Sequence, residues 1–163
     1  MAEIIAICGK ICCGKTWYAN ELKTREKAVI LSCDEVTKIL FDNDQGAEHD
    51  RMAVRIQAYL KKKAVELAKA GCTVILDWGF WRKADRAALT EFCRERDVPC
   101  RWHYVCVDDA IWEQNIRERN SRIRRGEGGC DYYLDQGLLD KLLSLWEEPQ
   151  KEDVDVWYEL KRS

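Results

Sequence analysis

Few residues here can break or staple the chain: of 163 residues, two are proline (Pro99, Pro149) and two are histidine (His49, His103). The nine cysteines are odd in number, none forms a Cys-x-x-Cys pair, and no histidine spacing completes a zinc site. That pattern excludes a zinc ribbon and a disulfide framework. Cys8, Cys72 and Cys106 fall in or beside β-like apolar runs, where a thiol serves as a small hydrophobe in a reducing compartment. No apolar run approaches the roughly 20 residues that span a bilayer, and the first residues carry no basic leader. A cytoplasmic protein with no membrane partner is expected. The formal charge of −2 supplies no general attraction for nucleic acid. Also missing are an Asn/Thr-Lys-x-Asp guanine reader and an Asp-x-x-Gly string, which disfavours a GTPase switch. No feature of the sequence speaks to oligomeric state.

What remains is a globular composition, 47% hydrophobic and 34% charged, in a chain of one domain's length, so residues 1–163 are expected to form a single domain. Apolar β-like runs at 4–8, 28–31, 73–76, 100–107 and 154–160 alternate with helix-compatible stretches at 15–23, 34–41, 47–70, 82–97, 109–122 and 135–146. Within 47–70, Met52, Ile56, Tyr59, Leu60, Leu67 and Ala70 recur at helical spacing. Strands separated by helices need crossovers, which predicts an α/β fold: a mostly parallel five-stranded sheet in a three-layer α/β/α sandwich.

The most informative string is Gly9-Lys10-Ile11-Cys12-Cys13-Gly14-Lys15-Thr16, glycine, four residues, then Gly-Lys-Thr. In this pattern backbone N–H groups curl around phosphates, the lysine reaches the terminal phosphates and the hydroxyl meets Mg²⁺. The loop follows a β-like run and opens a helix, so the helix's positive end faces the phosphates. ATP with Mg²⁺ is the expected ligand. Thr73-Val74-Ile75-Leu76-Asp77 is an apolar strand ending in an acid, which makes Asp77 a candidate to hold Mg²⁺ directly or through water.

A phosphate-binding loop does not say what the nucleotide is used for. Ala28-Val29-Ile30-Leu31 runs into Ser32-Cys33-Asp34-Glu35, and strand C-termini of a parallel sheet open on one crevice. Two roles are open to Asp34: orienting an acceptor hydroxyl, or capping the next helix. Arg117, Arg119, Arg122, Arg124 and Arg125 precede the Gly-rich segment 126–130. They form either a lid, at about 117–134, or a solvated helix with Glu113 and Glu118 as partners. Arg119 and Arg122 share a helix face. Arg82 and Arg86, four apart, hold an acceptor or pair with Asp77 and Glu35. Trp78, Phe80 and Trp81 line a pocket or join the core. Trp146-Glu147-Glu148-Pro149 is a candidate for backbone contact with adenine.

Taken in order, the loop Gly9 to Thr16, the stretch Leu31-Ser32-Cys33-Asp34-Glu35, Asp77 and Arg119-Asn120-Ser121-Arg122 resemble the small P-loop kinases grouped with polynucleotide kinase and chloramphenicol phosphotransferase. The resemblance implies a P-loop kinase fold with a short arginine lid. It also implies that Asp34 acts as general base and that Lys15, Thr16, Arg119 and Arg122 serve ATP. Relatives that act on nucleic-acid ends often carry a basic residue where Cys33 stands here, and this chain is acidic. A small-molecule hydroxyl acceptor is therefore expected ahead of a 5′-hydroxyl nucleic-acid end. A nucleotide-binding regulatory ATPase without an acceptor is the reading from a different class.

Overall fold

The computed structural model describes residues 2–42, 46–127 and 133–161. The Gly-rich segment 126–130 and the expected lid therefore fall partly outside the described residues, at 128–132.

Among the described residues, five strands and six α-helices follow one another: β1 (Ile4–Cys8), α1 (Lys15–Glu26), β2 (Val29–Ser32), α2 (Cys33–Phe41), α3 (His49–Lys69), β3 (Val74–Asp77), α4 (Lys83–Arg94), β4 (Cys100–Cys106), α5 (Asp109–Arg124), α6 (Gln136–Leu145) and β5 (Val156–Glu159). The strands form one sheet in the order β2-β3-β1-β4-β5, and every pairing is parallel. Each residue of β1 and β3 is buried, as expected of strands covered by helices on both faces. Period-two alternation splits them between two cores. Ile4, Ala6, Cys8, Val74 and Leu76 face α3 and α4, while Ile5, Ile7 and Ile75 face Tyr18, Ala19 and Leu22 of α1. Among the described residues, no helix is long and apolar enough to cross a membrane.

Several boundaries differ from the sequence-based expectation for physical reasons. Ser32 ends β2 and also caps α2, its hydroxyl accepting from Glu35 N at 3.2 Å. The stretch expected as helix at 47–70 begins as a short turn, Gly46–Glu48, before α3. Its buried face is Ile56, Leu60, Ala64, Val65 and Ala68, so Tyr59 (58% exposed) points outward, one position off the expected stripe. With no glycine before Gly126, α5 extends through Arg124 and makes the basic stretch helical. Cys8 is buried as expected, whereas Cys72 sits in the loop before β3 and is exposed.

Strand register fixes where the loops of the sheet converge. Ile7 and Ser32 both pair with Asp77, which brings the ends of β1, β2 and β3 to one edge of the sheet. The loops leaving those strands carry Gly9 to Thr16, Asp34 and Trp78 to Trp81.

Candidate active site

Between Cys8 and α1 the backbone wraps tightly. A side chain on Gly9 would put its Cβ 2.5 Å from Cys13 Sγ and 2.6 Å from Val105 O, so only glycine fits against β4. Gly14, just before α1, has φ +98°, a left-handed conformation open chiefly to glycine. Inside the loop, Lys15 Nζ donates to Gly9 O at 3.0 Å and to Lys10 O at 3.3 Å. The ammonium thus sits at the centre of the ring of backbone groups, where a polyphosphate's charge is best met.

Thr16 Oγ1 donates to Asp77 Oδ2 at 3.2 Å, joining the first turn of α1 to the end of β3. Asp77 is only 8% exposed. Burial pushes its carboxyl above the ordinary range, with Lys15 and Thr16 pulling it back and Asp34 adding to the rise. Two hard oxygen donors beside a phosphate loop suit Mg²⁺, which takes few protein ligands and completes its shell with water and phosphate oxygens. The described residues contain no cluster of three or more His, Cys, Asp or Glu that could hold a metal ion.

Asp34 lies in the first turn of α2 and is not its cap, since Ser32 performs that role. Its carboxylate lines the same cleft as Lys15, Thr16 and Asp77. From the opposite side, α5 presents Asn115, Arg119 and Arg122 to that cleft. Trp112 Nε1 donates to Ile11 O at 2.7 Å, Asn115 Nδ2 donates to Cys12 O at 3.0 Å, and Arg119 Nη1 reaches Cys12 Sγ at 3.6 Å. Lys10 Nζ stands 4.0 Å above the Trp112 ring and 3.7 Å from Asp109. The five arginines therefore do different things. Arg119 and Arg122 face the cleft, Arg117 and Arg125 line a separate shallow groove, and Arg124 hydrogen-bonds Tyr133. Trp112 and Asn115 were missed in the sequence. Their signal is the 3–4–3 spacing 112, 115, 119, 122, which sets all four on one helix face.

The cleft has a volume of about 1100 Å³. Beyond Asp34 it is walled by Trp78, Phe80 and Trp81, so the aromatic cluster is both core and lining. Trp78 and Phe80 stack with centroids 4.9 Å apart, and Phe80 meets Trp102 edge-on. The Trp81 ring lies flat over Gly79, where an added Cβ would fall 2.3 Å from Trp81 Cε2.

Two expectations are corrected. Arg82 sits just before α4, and neither it nor Arg86 lines the cleft. Arg86 is buried, and its guanidinium donates to Phe80 O at 2.8 Å, Trp81 O at 3.3 Å and Glu147 O at 2.7 Å. It ties the back of the aromatic wall to the segment before β5 instead of reaching Asp77, Glu35 or an acceptor. The stretch 146–149 lies behind that wall as well, with Trp146 stacked on Tyr104 and Glu147 N bonded to Trp81 O at 2.8 Å. The chain that borders the phosphate loop on the β5 side is Tyr158, Leu160 and Lys161.

A parallel sheet in this order, a glycine-lined loop closing on a lysine and a threonine-to-aspartate bond across the first and third strands define a P-loop nucleotide-binding fold of the kinase type. The chain belongs to the AAA_33 family, described as an AAA domain, which it matches over residues 4–128. No curated protein sequence matches it. Among solved structures it is similar to a sugar kinase from Janibacter sp. HTCC2649 (TM-score 0.69, 14% identity, covering 100% of this chain and 88% of that one). It is similar also to the Mycobacterium tuberculosis APS kinase CysC in complex with AMPPNP and APS (0.67, 16%, 99% and 90%). A third is Chaetomium thermophilum Kti12 in complex with ADP-AlF3 (0.66, 18%, 96% and 88%). At these identities the likeness is one of fold.

Proposed function

We propose that this chain is a phosphotransferase that moves the γ-phosphoryl group of ATP to a hydroxyl of a small molecule. The observation that carries the reading is the cleft itself. It runs from Lys15 and Thr16 past Asp77 and Asp34 into a second half walled by α2, α3 and the β3–α4 loop. Pockets for one drug-sized ligand run from about 300 to about 1,000 Å³, so roughly 1100 Å³ leaves room for a second molecule beside a nucleotide. A regulatory ATPase has no need of that second half.

In this reading Lys15 trades the Gly9 and Lys10 carbonyls for phosphate oxygens, and the N–H groups of the loop hold the β- and γ-phosphates. Thr16 and Asp77 would hold Mg²⁺, which when bound would supply neutralisation of charge on the transferring group. Asp34 accepts the hydrogen bond of the acceptor hydroxyl and takes its proton. The hydroxyl oxygen bonds to the γ-phosphorus as the bond from that phosphorus to the β–γ bridging oxygen breaks, and ADP departs. Arg119 and Arg122, in a lid at about 117–134, meet the charge that develops on the phosphoryl oxygens.

The kinases among the similar folds support the class of reaction, and a cytoplasmic setting suits a protein whose described cysteines are all free. The acids Asp50 and Asp85 in the second half favour a small molecule over a nucleic-acid end, whose phosphates they would repel. The test is transfer of labelled γ-phosphate from ATP·Mg²⁺ to a panel of nucleosides, sugars, antibiotics and 5′-hydroxyl oligonucleotides. Asp34→Asn is expected to lower kcat about 10²- to 10⁴-fold while ATP still binds. Lys15→Ala, which removes the phosphate contact, controls for binding. Phosphate passing only to water, equally in wild type and Asp34→Asn, would replace this reading with the regulatory one.

A further inference from the structure

The second half of the cleft has a chemistry of its own, and we infer that it selects an uncharged acceptor with a flat ring, an aryl or heteroaryl alcohol, over a phosphorylated, sulfated or carboxylated one. This rests on the transferase reading for the reaction and on the cleft walls alone for recognition.

The wall is aromatic and fixed in place. Trp78 and Phe80 form a stacked floor that is part of the core, and Phe80 is held at φ +44°, a left-handed conformation that a bulky residue keeps only when its surroundings impose it. Trp81 extends the surface across Gly79, half-buried, and its indole N–H has no partner among the described residues. At the mouth, Val54 and Trp17 line the cleft while 67% and 51% exposed, so apolar lining continues outward from the floor. An aromatic floor fixed in the core, with apolar lining continuing toward solvent, suits a flat ring laid against it.

Charge points the same way. Recognition of a phosphate, sulfate or carboxylate rests on guanidinium forks or clustered ammonium groups. Arg86 spends its guanidinium on three carbonyls, Arg82 is outside the cleft, and Arg119 and Arg122 stand on α5, on the phosphate-loop side. Among the described residues, the second half is left with Lys61 and His49 against Asp34, Asp50 and Asp85, Lys141 lying 3.7 Å from Asp50. The internal stretches 43–45 and 128–132 contain no lysine or arginine in sequence. An anionic acceptor would therefore face more carboxylates than cations.

Two measurements are made together on the whole chain with ATP·Mg²⁺ present: labelled phosphate transfer, and ligand binding by saturation-transfer NMR. The probes are 2-phenylethanol, a ring-free alcohol of similar size, an unmodified hexose, a sugar acid and a sugar phosphate. The aryl alcohol is expected to exceed the ring-free alcohol and the hexose by about tenfold in apparent affinity, with the two anions weaker still. Trp81→Ala should erase most of that preference and leave the KM for ATP within about threefold. Because Trp81→Ala also uncovers the Gly79 backbone that the indole packs against, Val54→Asp at the exposed mouth serves as a second variant, expected to narrow the lead of the aryl alcohol over the uncharged ring-free alcohol. Preferential use of the sugar acid or sugar phosphate, or a ring preference that survives both variants, overturns the inference. If the aryl alcohol binds with the expected sensitivity but receives no phosphate, the recognition holds and the transferase reading fails. If the anions are phosphorylated in an Asp34-dependent way, the transferase reading holds and the recognition fails.

Discussion

Thr16 and Asp77, 61 residues apart in sequence, meet through a 3.2 Å hydrogen bond that fixes the first turn of α1 to the tip of β3. The contact makes the two residues a unit, so their loss should not be additive. Thr16→Ala and Asp77→Asn are each expected to cut Mg²⁺-supported turnover by about 10²-fold, with the double variant little worse than either. Steady-state assays over a Mg²⁺ titration check this, and independent, multiplying losses would sink the shared role.

Asp77 also bears on stability. Its folded pKa lies above the ordinary 3.8 because burial disfavours the charge. The folded state therefore holds the proton longer than the unfolded chain does, and the stability this confers is lost as pH rises from about 3.8 through the raised value. At neutral pH the wild type carries the cost of a buried carboxylate, so ligand-free Asp77→Asn should show a higher urea midpoint. The gap should close toward pH 4. A variant less stable than wild type at neutral pH would contradict the account.

Arg86→Ala leaves the carbonyls of Phe80, Trp81 and Glu147 short of a buried donor. A loss of about 3 kcal/mol in unfolding free energy is expected from urea denaturation. Arg82→Ala, at an exposed position, should stay within about 0.5 kcal/mol and keep its activity. Equal effects from the two would restore a common role for them.

His103, 2% exposed on β4, shares a 2.8 Å hydrogen bond with Tyr18 and sits on the face of the sheet away from the aromatic wall. Burial, helped by Arg101 and Arg25, lowers its pKa from 6.5 to about 4. Here the unfolded chain takes the proton first, so stability falls as pH drops from about 6.5 toward about 4. The drop should be roughly 3 kcal/mol across that window and should be flatter in His103→Gln. Urea midpoints at several pH values decide it, and parallel profiles for the two proteins would exclude His103 as the cause.

The layered fold and the phosphate loop were legible because their signals are local: apolar runs of strand length, one glycine-rich string, and an acid at a strand end. What spacing could not supply was direction. A spacing of four between Arg82 and Arg86 places them on one helix face but does not say which, and the buried face of α4 turned Arg86 toward carbonyls behind the cleft. Asp34 looked like a cap or a base because the sequence did not show that Ser32, the last residue of β2, would do the capping. The segment 146–149 went wrong for a related reason, since nothing local reports that Trp146 stacks on Tyr104 of β4. Trp112 and Asn115 were overlooked because their bonds go to backbone carbonyls of the loop, so only their spacing with Arg119 and Arg122 marks them in the sequence.

The strand order sets β2 and its two following helices on one flank of β1 and β3, and β4, α5 and β5 on the other. The residues proposed to meet phosphate are anchored to β1, β3 and α5, whereas most of the second half of the cleft hangs from α2 and α3. Substitutions on that outer pair touch neither the glycine loop nor its lysine. A lineage built on this frame can change its clientele by rewriting those two helices around Asp34 while the phosphate loop is inherited intact.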